Sequence, residues 1–191
     1  MSSERFSAEN RHRLVSEERI KLQPAEGIVG RMELNENDVV ADLGCGIGYV
    51  SIPLSKKVKQ VLAVDSQQIM LDDLTARIPE ELRLKITPVM SKLPNLPFKD
   101  SSLDKAIMVN VAHEIQDTEK MVSEITRCLR EDGILTIVDF NKAASSFGPP
   151  VEKRIPLEEM VRLYDPMELI RKNVFDIYYQ IDLKNHKNIR R

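Results

Sequence analysis

The sequence holds no tryptophan, and its aromatic residues amount to only 5% of the chain. Stacking platforms for unpaired bases are therefore scarce. Its two cysteines, Cys45 and Cys128, lie far apart and form no Cys-x-x-Cys pair. That argues against a zinc ribbon or a disulfide framework and predicts a reducing, cytoplasmic setting. No metal site is expected. No apolar run is long enough to span a bilayer, and the stretch from Met1 to Lys21 lacks the apolar segment of a secretory signal. Net charge is only −2 and the pI is near 6.0, so no strong global field draws in nucleic acid or anionic membrane. Internal repeats and low-complexity tracts are absent as well.

What is present is an ordinary globular composition, 42% hydrophobic and 30% charged over 191 residues, which suits one domain. Residues 7–32 read as helical with a break near Pro24, and Asn35 to Asp38 as a turn. "VVADLG" then begins an alternation of apolar strands and amphipathic helices. "QVLAVD", "RLKITPVM", "KAIMVN" and "ILTIVDF" are the further strands. Ser66 is the expected N-cap of the helix after "QVLAVD". Gly133 is the expected C-cap of the helix that begins near Asp117. A last helix is predicted from Pro156 to Lys172, followed by a terminal strand or hairpin arm, "VFDIYYQIDL". Such alternation implies an α/β fold with a doubly wound, mostly parallel sheet and helices on both faces. Within one domain, residues 1–34 form a helical cap, 35–140 a cofactor-binding core, and 141–191 a substrate-side loop, helix and strand.

The stretch "ADLGCGIGYV", Ala41 to Val50, places Gly44, Gly46 and Gly48 directly after the first strand. In a doubly wound fold that turn faces the ligand crevice. The dinucleotide fingerprint needs a glycine at position 49, which is Tyr49 here, and no Gly-Lys-Ser/Thr follows for a phosphate loop. Asp65 ends the second strand about 20 residues on, where a carboxylate can accept both ribose hydroxyls of an adenosine group. Asp42 would repel a phosphate at short range and favour an amino or sulfonium group. The turn therefore suits an adenosine ligand with a cationic end and no phosphate.

"VVADLGCGIGYVSIPLS" with "VLAVD" resembles the class I S-adenosylmethionine-dependent methyltransferases. "LPFKDSSLDKAIMVNVAHEI", "CLREDGILTIVDF" and "GPPVEKRI" resemble the type 11 subgroup related to ubiquinone/menaquinone-biosynthesis methyltransferases. The resemblance implies S-adenosylmethionine as cofactor and S-adenosylhomocysteine as product. It sets the backbone of Gly44, Cys45 and Gly46 against the methionine part, with Asp42 near its amino group and Gly48 and Tyr49 in the same turn. Asp65 takes the ribose, and Ser66 and Met70 border the adenine. Ser91 and Lys92 follow the third strand where the family often has an acid, so the Ser91 hydroxyl or backbone groups would serve instead. Asn110 lines the cofactor near its carboxylate or sulfur.

His113 and Glu114, just past the fourth strand, are the candidates for chemistry. His113 suits a general base near neutral pH or a shelf that packs against the cofactor. Cys45 and Cys128 read as packing residues, Met70, Met90 and Met108 as core filling, and His12 and His186 as solvated. Lys153 and Arg154 read as a solvated basic pair. Methyl transfer is an in-line displacement governed by alignment, and a small molecule is the expected acceptor. The alternatives are methylation of RNA or protein, with the basic stretch "KNHKNIRR" as a contact, or a non-catalytic S-adenosylmethionine-binding protein. The family's sheet closes with a sixth strand and an antiparallel seventh. The terminal strand here is expected to be a stub, whose open edge would favour a homo-oligomer.

Overall fold

The computed structural model describes residues 6, 8–145 and 147–186; Lys187 to Arg191, most of the basic C-terminal stretch, lie outside the described residues. A 3-10 stretch, Ala8–Val15, leads into two short helices, α1 (Glu17–Leu22) and α2 (Ala25–Arg31). Ser16 caps α1, its hydroxyl accepting from Arg19 N at 3.3 Å. Asn35 and Asp38 close the expected turn through mutual hydrogen bonds of 2.8 and 3.0 Å. Strands and helices then alternate as β1 (Val39–Leu43), α3 (Ser51–Ser55), β2 (Gln60–Asp65), α4 (Gln68–Arg77), β3 (Ile86–Met90), β4 (Leu103–Val109), α5 (Thr118–Cys128) and β5 (Leu129–Phe140). The chain finishes with α6 (Leu157–Leu163), β6 (Glu168–Val174) and β7 (Tyr178–Lys184).

The seven strands form one sheet in the order β3-β2-β1-β4-β5-β7-β6. β1 to β5 are parallel, and β7 runs antiparallel between β5 and β6. Each central strand feeds two cores because successive side chains point to opposite faces. Ala41 and Leu43 of β1, Ala106 and Met108 of β4 and Leu135 and Ile137 of β5 pack with Met121 and Ile125 of α5 on one face. Val40, Val61, Ala63 and Ile107 pack with Ile28 of α2, Leu54 of α3 and Leu74 of α4 on the other. Burial on both faces is why these strands read as near-continuous apolar runs. Strand order reverses between β1 and β4, and the crevice beyond their C-terminal ends is where such folds bind ligands.

Several expectations are corrected. The helix expected to run to Lys172 ends at Leu163, and Glu168–Val174 is the edge strand β6. Pro166 cannot donate inside a helix, and residues 168–174 alternate between exposed and half-buried, a two-residue period. The terminal strand is not a stub: β7 pairs with β5 over seven residues and is buried on both sides. Thr136 Oγ1 donates to Asp182 Oδ1 at 2.7 Å and Arg31 Nε to Gln180 Oε1 at 2.8 Å, which holds its register. The ground for self-association at a truncated edge falls with it.

Gly133 is not a helix C-cap, since α5 stops at Cys128 and Asp132 carries the positive φ, +61°. A Cβ on Gly133 would lie 2.9 Å from the Arg130 carbonyl oxygen, so the residue admits a close backbone approach. Ser66 does not cap α4; Gln67 holds that position and donates its N–H to Asp65 Oδ1 at 2.9 Å. Met90 is 47% exposed and so fills no core, unlike Met70 and Met108. His186 has a partner, Glu168 Oε2, at 2.6 Å.

Candidate active site

A cleft of about 960 Å³ opens at the C-terminal ends of β1, β2, β4 and β5. Its floor is the glycine turn. The N–H groups of Gly44 and Cys45 both donate to the Val64 carbonyl, at 2.8 and 2.9 Å, which folds the turn back onto β2. Gly44 has φ +80°, and a Cβ there would lie 2.5 Å from Val111 Cγ2. Only glycine fits both conditions. Asp65 stands at the rim of β2, where Oδ2 accepts from Gly46 N at 3.0 Å and Oδ1 from Gln67 N. The turn and α4 thus aim one carboxylate at the cleft.

Asp42 lies behind this wall, 2% exposed, accepting from Ser51 Oγ at 2.5 Å. Burial pushes its pKa up to about 6, against the pull of Ser51 and Arg19. Gly48 also lies off the cleft surface. Gly44, Cys45, Gly46, Tyr49, Asp65, Ser66, Met70, Ser91, Lys92 and Asn110 all line the cleft, together with His113 and Glu114. The Ser91 hydroxyl donates to the Asn95 carbonyl at 2.8 Å. Asn110 has φ +59° and exchanges both amide hydrogen bonds with Gln23, at 3.2 and 2.7 Å. Tyr49 donates its hydroxyl to the Gln23 carbonyl at 2.9 Å. These contacts fasten α1 to the turn.

The opposite wall carries a charge pair. His113 Nδ1 lies 2.8 Å from Asp139 Oδ1, and Asp139 Oδ2 accepts from His113 N at 3.2 Å. Asp139 is fully buried at the end of β5. Burial lowers the His113 pKa, but the hydrogen bond and charge of Asp139 outweigh it and the net shift is upward. Asp139 Oδ1 accepts the hydrogen bond of Nδ1–H, which leaves Nε2 as the ring nitrogen open to the cleft. Glu114 Oε1 lies 4.0 Å from that Nε2 and accepts from Phe6 N at 3.3 Å. Gln67 Nε2 donates to the Phe6 carbonyl at 3.1 Å, so Phe6 bridges Glu114 and Gln67 at the cleft.

Phe140 and Phe147 close the wall beside His113, with centroids 5.6 Å apart. The loop that brings Phe147 is wound around Arg154. This arginine is 2% exposed and donates to the carbonyls of Pro149, Asn141, Ala143 and Phe147 and to Ser145 Oγ. It is no solvated partner of Lys153, which alone of the two reaches the cleft surface. Sequence reasoning missed Arg19, Gln23, Asp139 and Phe147. For Asp139 a signal existed, a lone carboxylate inside the apolar strand "ILTIVDF".

Residues 41–137 match the methyltransferase domain family over about half of the chain. The chain belongs to this family. The methyltransferase domain is 29% identical over 100 residues to an uncharacterized methyltransferase, YcgJ, of Bacillus subtilis, covering 52% of the chain and 40% of that relative. It is 33% identical over 92 residues to the 23S rRNA (uracil(1939)-C(5))-methyltransferase RlmD of Aliivibrio fischeri, covering 48% of the chain and 19% of that relative. The chain thus spans less than half the length of these curated relatives. A crystal structure of an S-adenosylmethionine-dependent methyltransferase from Aquifex aeolicus superposes with a TM-score of 0.86 at 22% identity, covering 94% of this chain and 99% of that one. That likeness shows the fold. Family and fold together imply S-adenosylmethionine as the cofactor. The donor set fits it: a backbone turn without a phosphate-binding lysine, and a carboxylate at the end of β2.

Proposed function

We propose that the chain transfers the methyl group of S-adenosylmethionine to a small-molecule acceptor, with His113 as the general base. The observation that carries this is the Asp139–His113 pair opening onto the same cleft as the Asp65 carboxylate. Gly44, Cys45 and Gly46 present backbone to the methionine part, with Asp42 beneath them as a charge near its amino group. Asp65 accepts from the ribose hydroxyls, while Ser66, Met70, Ser91 and Lys92 surround the adenine. Asn110 and Tyr49 bound the sulfur end. The cofactor supplies a methyl carbon activated by positive sulfur. His113 Nε2 removes the proton of an acceptor hydroxyl or amine as that atom attacks, and Asp139 stabilises the imidazolium that results. Glu114 sits where it can orient the same proton. Phe140, Phe147 and Phe6 keep water from the mouth, and alignment supplies most of the rate.

The segments Leu96 to Ile115 and Cys128 to Phe140 support a place in the ubiquinone/menaquinone-related type 11 subgroup, and the composition supports a cytoplasmic setting. RNA is the second reading, favoured by the similarity to RlmD. Calorimetric titration with S-adenosylhomocysteine and NADH tests the cofactor: heat with the first and none with the second is expected, and the reverse overturns the proposal. Incubation of an extract with methyl-labelled cofactor tests the acceptor. Label in the small-molecule fraction is expected; label confined to RNA or protein replaces that part of the proposal.

A further inference from the structure

The loop between β5 and α6 carries Lys142, Lys153 and Arg154, and the fold spends two of these cations on itself. Arg154 is buried and donates to loop carbonyls and to Ser145 Oγ. Lys142 Nζ donates to the carbonyls of Val151 and Glu152, at 3.0 and 3.4 Å. The Lys153 ammonium has no partner among the described residues, and the side chain lines the cleft. Its backbone is fixed, with N donating to the Pro150 carbonyl at 3.0 Å in the turn Val151–Lys153. The same loop lays Phe147 against Phe140, ring centroids 5.6 Å apart and planes tilted by 60°. It also packs Gly148 so close that a Cβ there would lie 2.6 Å from the Phe140 ring. The charge of Lys153 reaches the His113 ring, where it opposes protonation while Asp139 and Glu114 favour it. A cation beside a base that must take up a proton works against it, unless the bound acceptor brings an anion to neutralise that cation. Glu114 does not serve, since its Oε1 accepts from Phe6 N at 3.3 Å and it makes no ion pair with Lys153 among the described residues.

We infer that the methyl acceptor is an aromatic acid, with its ring against Phe140 and Phe147, its carboxylate on the Lys153 ammonium, and a hydroxyl or amine turned to His113 Nε2. This rests on the reading of His113 as the base. Two tilted phenyl rings offer one face and one edge to a planar group, the geometry aromatic pairs prefer. Lysine supplies a point charge on a flexible stem, which suits a carboxylate at the cleft rim. The carboxylate is not consumed. The acceptor oxygen or nitrogen forms the new bond to the methyl carbon, the pair of the C–S bond stays on sulfur, and the acceptor proton passes to Nε2. Lys153 therefore selects which molecule is methylated, and the loop wound on Arg154 sets the distance between that choice and the chemistry.

The test begins by saturating the full chain with S-adenosylhomocysteine, which keeps other ligands out of the cofactor's half of the cleft. The probes are 4-hydroxyphenylacetate and its neutral isostere 4-hydroxyphenylacetamide, titrated by ligand-observed NMR. Wild type is expected to favour the acid by about fivefold to tenfold, the low end for a charge-assisted contact because Lys153 is exposed. That preference should shrink as salt rises. Lys153→Gln is expected to bring the two probes within about twofold of each other, and Lys153→Arg to keep the preference for the acid. Affinity of Lys153→Gln for S-adenosylhomocysteine within about threefold of wild type is the check that the variant is folded, and the wild-type comparison needs no variant. Equal binding of acid and amide by wild type, binding of neither, or a preference that survives in Lys153→Gln overturns the inference and leaves the cofactor reading standing. Failure of S-adenosylhomocysteine to bind at the first step overturns the cofactor reading and the inference with it.

Discussion

Asp139 grips His113 at two points, with Oδ1 at 2.8 Å from the ring Nδ1 and Oδ2 at 3.2 Å from the backbone N. Its Oδ1 also accepts from Phe140 N at 2.8 Å, so the carboxylate is pinned to β5 before it meets the imidazole. The ring is therefore fixed in tautomer and direction by a residue that never reaches the cleft.

The titration of His113 follows from that grip. Its folded pKa is raised above the ordinary 6.5, so the stability the pair contributes is fully present below 6.5 and is lost as pH rises through the folded value. The neutral, proton-accepting ring lies on the alkaline side, and turnover should rise with pH through a midpoint above 6.5. Asp139→Asn should move the midpoint of the His113 ring, followed by NMR, downward. A midpoint that stays put would remove Asp139 from the mechanism.

With an acceptor in hand, His113→Ala should lower kcat by about a hundredfold to ten-thousandfold, the usual worth of a positioned base. Affinity for S-adenosylhomocysteine should stay within about threefold of wild type, since only the base is removed. Loss of cofactor binding with kcat intact would make His113 a shelf.

Asp65→Ala removes a carboxylate that faces the cleft and accepts from two backbone N–H groups. Affinity for S-adenosylhomocysteine should fall by about 10- to 100-fold, and Tm should drop because Gly46 N and Gln67 N lose their acceptor. Calorimetry showing full affinity would sink the ribose assignment.

Asp42 works against the free fold at alkaline pH. Its folded pKa of about 6 lies above the unfolded 3.8, so ionisation costs stability, and that cost shrinks as pH falls through 6 toward 3.8. Asp42→Asn keeps an acceptor for Ser51 without the charge. Its unfolding free energy relative to wild type should rise by about 1 kcal/mol between pH 5 and pH 8, measured by urea denaturation of the ligand-free protein. A difference independent of pH would show that Asp42 is not the titrating group.

Arg154→Lys should be nearly as damaging as Arg154→Ala. One ammonium has three donors, whereas the guanidinium serves five acceptors. Both variants should speed amide exchange across residues 141–153 and leave affinity for S-adenosylhomocysteine within about threefold. Unchanged exchange would show that the loop holds itself.

The sequence by itself determined the five parallel strands, the glycine turn and the placement of Asp65, because each is set by local chemistry. Strands buried on both faces must be apolar throughout, a turn with φ +80° against Val111 must be glycine, and a carboxylate at a strand end follows from position. Pro166 and the two-residue period of Glu168–Val174 were also on view, masked by a charged composition that reads equally well as helix. Only the tertiary structure decided the rest. Asp139 meets His113 across 26 residues, Gln23 meets Asn110 across 87, and Arg31 meets Gln180 across 149. Such partners are chosen by which strands lie side by side and which atoms are left without water, and no local pattern records either. The same reason hid Arg19: on α1 it is one more charged residue, and only the fold buries it against Tyr49.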